Sequence, residues 1–120
     1  MALTKAQLAS RGFRNNNPLN LRWVEKNKWD HQTGKDSGGY CVFDDPVYGI
    51  RAAILLLKKY QDKYNLHTIY GTIERFAPPE DDNYTEKYAA FVAKDIGKDA
   101  HDTYDSRDPV EVKAMIESMI

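Results

Sequence analysis

Cysteine is nearly absent from this chain: Cys41 stands alone among 120 residues, so no internal disulfide can form. Its apolar neighbours Tyr40, Val42 and Phe43 predict a buried, structural thiol. No apolar run approaches the roughly 20 residues that cross a bilayer, so membrane insertion is not expected. Met1 to Ser10 lack an apolar signal core, which predicts synthesis in the cytoplasm without a secretory signal. Action outside the cell would then need another agent to carry or release the protein. The net charge is only −1, so no global field draws the chain to nucleic acid. His31, His67, His101 and Cys41 show no metal-ligand spacing, and no phosphate-binding glycine motif is present. Neither a metal nor any other cofactor is expected.

With 42% hydrophobic and 29% charged residues, the composition is that of an ordinary globular chain, and the length predicts one domain over residues 1–120. Thr4 to Ser10 reads as a short helix with Gly12 just past its end. Residues 21–26 and 39–43 read as strands joined by a polar loop holding Gly34, Gly38 and Gly39, a candidate hairpin. Asp45-Pro46 gives a cap followed by a proline at the first helical position. Val47, Ile50, Ile54 and Leu57 then recur at helical spacing, which predicts a core helix from 46 to about 65, about 30 Å long. Thr68 caps a further helix with Ile69, Ile73 and Phe76 on one face, ended by Pro78 and Pro79. Asn83 or Thr85 starts the next, with Tyr88, Phe91, Val92 and Ile96 inward and Gly97 as its stop. Asp108-Pro109 repeats the cap signal ahead of Val112, Met115, Ile116 and Met119. The class expected is α+β, mostly helical, with one small β-hairpin.

The most distinctive stretch is Arg11-Gly-Phe-Arg-Asn-Asn-Asn-Pro-Leu-Asn-Leu-Arg22, where four asparagines fall within six positions. Asparagine tolerates left-handed backbone and offers both an acceptor and two donors. The segment is therefore either a hydrogen-bonded turn that organises a fold or a polar wall that reads a polar ligand. Trp23, Trp29 and Tyr40 fall in or beside the expected hairpin. Sugar rings stack their C–H faces on such rings, although core packing is the commoner fate of any one of them.

Glycoside cleavage needs a protonated acid and a second carboxylate or a positioned water. Glu80, Asp81 and Asp82 cluster in a loop stiffened by Pro78 and Pro79, and mutual repulsion can raise one carboxyl's pKa. The alternative, which the residues alone favour, is a solvated acidic connection between helices. Asp45 reads as a helix cap. Cys41 lacks any activation signal for a Cys–His nucleophile pair.

The Asn-rich stretch resembles the RGxRNNNPGNIR segment of small phage and prophage proteins described as virion structural or lysozyme-like. Further blocks follow in order: Trp29, Phe43-Asp-Asp-Pro-Val-Tyr-Gly-Ile-Arg-Ala52, Thr68-Ile-Tyr-Gly-Thr-Ile-Glu-Arg-Phe-Ala-Pro-Pro79, Asn83-Tyr-Thr85 and Tyr88. The likeness covers roughly residues 11–92 and extends more distantly to glucosaminidases and lytic transglycosylases. It implies a lysozyme-like fold with peptidoglycan as the target. Arg14, Asn15, Asn16, Asn17, Asn20, Trp29 and Tyr40 would then line a glycan groove. In the wider enzymes the catalytic glutamate precedes the Asn turn, whereas here only 14 residues precede Asn15 and none is acidic. Leu19 also stands where the pattern has glycine.

The resemblance thus leaves three expectations. A phage peptidoglycan glycosidase would use a relocated acid, Glu80 first and Glu25 second. A module without the acid would bind the wall or serve as a virion structural protein. A phage protein could instead bind a host protein through the helical face after residue 85. The expected place of action is the virion or the bacterial cell wall.

Overall fold

The computed structural model describes residues 5–79 and 84–120. The architecture is α+β and mostly helical, with one two-stranded antiparallel hairpin. In chain order the elements are α1 (Lys5–Arg14), β1 (Gln32–Lys35), β2 (Cys41–Phe43), α2 (Pro46–Tyr64), α3 (Ile69–Phe76), α4 (Thr85–Asp95) and α5 (Pro109–Met119). Two compact units emerge, one running through Leu55 and the other Leu56–Met119, with α2 contributing to both.

In the first unit, Leu19, Leu21, Tyr40, Cys41, Phe43, Ala52 and Ala53 are buried. Helix α1 does not stop before Gly12 but runs on to Arg14. Its end is a Schellman cap: Asn17 N–H donates to Gly12 O at 2.9 Å, and Asn16 N–H donates to Phe13 O at 3.4 Å. The cap needs a left-handed residue, and Asn16 supplies it at φ 53°. Asn20 is also left-handed at φ 53°, while Leu19 is not. The leucine therefore carries no backbone strain at the place where the resembling segments have glycine.

The hairpin pairs different residues from those the spacing predicts. The partner of β2 is β1, with Gln32 opposite Phe43, Gly34 opposite Val42 and Lys35 opposite Cys41, and an irregularity between Gln32 and Gly34. Residues 21–26 form no strand. Arg22 makes one isolated antiparallel bridge to Tyr40, flanked by Trp23 N–H to Gly39 O and Cys41 N–H to Leu21 O. The chain then turns away, with Asn27 N–H closing on Val24 O. The reason lies in Asp36. Its carboxylate accepts from Gly38 N–H at 2.9 Å and Tyr40 N–H at 3.0 Å, and this side-chain-stabilised turn folds 32–35 back onto 41–43.

Helix α2 starts as the sequence predicts. Asp45 caps it through Val47 N–H at 2.9 Å, and Pro46 occupies the first position. Gly49 on this helix leaves no room for a Cβ against the Asn16 carbonyl, so glycine there permits the close approach of the Asn turn.

In the second unit, Leu57, Tyr60, Ile69, Ile73, Val92, Tyr104, Val112, Met115, Ile116 and Met119 are buried. Thr68 caps α3 by accepting from Gly71 N–H at 3.0 Å. Gly97 ends α4 at φ 75° in a second Schellman cap, with Lys98 N–H to Ala93 O and Gly97 N–H to Lys94 O. Asp108 accepts from Val110 N–H ahead of α5. Two positions depart from their expected place: Val47, at the start of α2, is 59% exposed, and Phe91 is likewise 59% exposed rather than inward. Its α4 neighbours Ala89, Val92 and Ala93 take the buried face instead. A buried polar knot joins α2 to the 104–106 loop. Gln61 donates to Tyr104 O at 2.7 Å and accepts from Ser106 N–H and Ser106 Oγ–H at 3.1 and 2.8 Å.

Candidate functional site

The Asn-rich segment turns largely inward. Asn17 is fully buried. Its amide donates to Leu21 O and Cys41 O, each at 3.0 Å, and its carbonyl accepts from Leu21 N–H at 2.9 Å. Both ends of the side chain are spent on backbone, so Asn17 offers nothing to a ligand in this fold. Asn16 donates to Phe43 O at 2.9 Å. Asn15 donates its side-chain amide to Asp36 Oδ2 at 2.9 Å, while its main-chain carbonyl accepts from Phe43 N–H. The three side chains stitch the end of α1 to β2 and to the hairpin turn. Of the two readings the residues allowed, these three positions follow the fold-organising one. Asn20 differs: its Oδ1 is enclosed with no hydrogen-bond partner among the described residues.

Asp36, which the sequence reading passed over, is the hub. Besides the two turn N–H groups it takes Asn15 and the Arg11 guanidinium, whose Nη1 lies 3.4 Å away. Desolvation pushes its pKa up, but the bonds from Tyr40 N–H, Asn15 and Gly38 N–H, with the Arg11 charge, pull it below the ordinary carboxylate value. Arg11 also stacks on Tyr40, as does Arg22, each guanidinium 4.9 Å from the ring centroid. Tyr40 is thus a buried ring between two cations rather than an open sugar platform.

Arg14 is exposed at the end of α1 and makes no ion pair among the described residues. Trp29 is half-buried, and its carbonyl accepts from Gln32 N–H at 3.1 Å. Trp23 is half-buried too, with Lys35 Nζ 4.4 Å from its ring centroid. Glu25 is exposed at the turn after Trp23. Glu80 lies outside the described residues, as do Asp81, Asp82 and Asn83.

Nearby, His31 sits at φ 58°, stacked on Tyr48 at 3.7 Å, with Nδ1 2.9 Å from Asp44 Oδ2. The Asp44 bond raises the His31 pKa. Cys41 is buried, and desolvation pushes its thiol up to about 11, so it holds no thiolate for nucleophilic chemistry at neutral pH. Among the described residues, no three His, Cys, Asp or Glu side chains gather as metal ligands. Among the same residues, no helix is long and apolar enough to cross a membrane.

The fold and this stitched turn define a small, mostly helical α+β protein with a hairpin fastened to its N-terminal helix by asparagine side chains. Protein P5 of Pseudoalteromonas phage PM2 is 39% identical to this chain over 119 residues, spanning 95% of this chain and 73% of that protein. The chain belongs to the family of that phage protein. No protein-family model matches it.

Proposed function

We propose that the protein is a lysozyme-like phage component that engages the glycan strands of peptidoglycan, in the virion or after release to the cell wall. One observation carries this reading. The half-buried indoles of Trp23 and Trp29 lie on a loop whose backbone is tied to the hairpin at Gly39 and Gln32. A backbone tied in this way limits the entropy lost when a sugar stacks on the rings. The exposed Arg14 adds a donor for hydroxyl or peptide carboxylate groups. Kinship with a phage protein and the RGxRNNNPGNIR-like segment support the same reading.

Binding without cleavage is the form these residues favour. Asn15, Asn16 and Asn17 are committed to scaffold contacts, and Glu25 stands at an exposed turn, where solvent keeps a carboxyl ionised rather than poised as a general acid. Purified peptidoglycan should pull the protein down on centrifugation, and Trp29→Ala should leave more of it in the supernatant. Failure of the unaltered chain to sediment would sink the glycan reading in favour of a purely structural or host-protein-binding role. Release of soluble muropeptides, abolished by Glu80→Gln, would replace it with the glycosidase reading.

A further inference from the structure

The second unit holds a recess far from the asparagine turn in sequence. Its volume is about 290 Å³, and Tyr70, Pro79, Tyr84, Thr85, Glu86 and Lys87 line it. That size lies at the lower end of ligand pockets, enough for one ring rather than an extended chain. We infer that this recess is a subsite for a single pyranose ring of a glycan strand, with Tyr70 and Tyr84 as its stacking walls. The inference rests on the glycan reading above but not on Trp23 or Trp29.

The walls are held from outside the recess. Tyr70 N–H donates to Ala100 O at 2.8 Å, and its ring lies 5.4 Å from that of His101. Thr85 Oγ–H donates to Ala77 O at 2.6 Å, fastening the start of α4 to the residue that ends α3. Tyr84 is 76% exposed, a large apolar face left open to solvent, with Lys87 Nζ 5.6 Å from its ring centroid. A pyranose has an apolar C–H face and a hydroxyl rim, and the lining divides in the same way. The two phenol rings and Pro79 meet the face. The Glu86 carboxylate accepts from hydroxyls, and Lys87 donates to ring or acetamide oxygens. Tyr70 keeps its proton: desolvation raises its pKa first, and the charges of Glu74 and Glu86 raise it further.

The test is a titration of the full chain with the trisaccharide of N-acetylglucosamine, followed by amide chemical shifts. Saturable shifts at Tyr70, Tyr84 and Lys87 are expected. Tyr84→Ala should weaken affinity about tenfold, and Tyr84→Phe should keep it, because stacking needs the ring and not the hydroxyl. Phe91→Ala, exposed elsewhere on α4, should change nothing. Tyr84 is so exposed that its loss leaves the fold intact, which circular dichroism verifies. Absence of saturable shifts at the recess, while the chain still sediments with peptidoglycan, overturns the subsite and leaves the glycan reading standing. Saturation at Tyr84 without sedimentation supports the subsite and removes the wall-polymer reading instead.

Discussion

The two units close their interiors by different means. The first is held by polar side chains: Asn16 and Asn17 reach the backbone of Phe43, Leu21 and Cys41, Asn15 reaches the Asp36 carboxylate, and Asp36 gathers the hairpin turn. The second is held chiefly by apolar packing of Ile69, Ile73, Val92, Met115 and Ile116, with Gln61 as a polar knot within it. The two Schellman caps show the contrast in miniature. Gly97 makes its cap by conformational freedom alone, whereas Asn16 makes the same turn and adds a side-chain bond to Phe43 O. A short hairpin with a small apolar face gains from directional bonds what it cannot gain from buried area.

This contrast can be broken by substitution. Asn17→Ala removes three buried hydrogen bonds and strands the Leu21 N–H. A loss of about 4 kcal/mol in denaturant unfolding is expected, with hydrogen exchange rising first at Leu21 and Cys41. A cost below about 1 kcal/mol would show that the polar staple is not what holds the first unit. Ile73→Ala should cost about 3 kcal/mol by leaving a cavity in the second unit, and its effect should add to that of Asn17→Ala if the two act separately.

Acid should separate the units next. Asp36 titrates below its ordinary value of 3.8 when folded, so the folded state binds fewer protons than the unfolded one. Its stabilisation is complete above that value and is lost as pH falls through the lower, folded one. Unfolding midpoints measured from about pH 6 down to about pH 2 should fall less steeply in Asp36→Asn than in the unaltered chain. Smaller still, Gly97→Ala should cost about 1 kcal/mol for a forced left-handed φ, and Asn16→Gly should cost about as much for its lost side-chain bond. The exposed Arg107–Asp62 pair, although only 2.6 Å apart, should give no measurable change on Arg107→Ala in physiological salt.

Helices α2, α3 and α5 were legible in the sequence because cap and apolar period agree at Asp45, Thr68 and Asp108, with a proline at the first helical position after Asp45 and Asp108. Strand β1 was not, because Gln-Thr-Gly-Lys carries no apolar alternation, and a turn centred on Asp36 decides its pairing. Phe91 fits a helical apolar stripe as well as Val92 does, and only packing tells them apart. Asparagine serves turns and ligands by the same chemistry, so the segment announced itself without disclosing which way it points. Asp36 gave no signal at all. Its weight comes from Arg11, Asn15, Gly38 and Tyr40 meeting at one carboxylate, and that convergence exists only in three dimensions.

The lone thiol has a practical corollary. Cys41 sits within the stitched strand, its carbonyl held by Asn17 and its sulfur shielded. A thiol-modifying reagent can reach it only when that strand lets go. The rate of labelling in the absence of denaturant is therefore a built-in clock for local opening of the hairpin region. Because no second cysteine competes for the reagent, the clock reads one place in the molecule and needs no engineered probe.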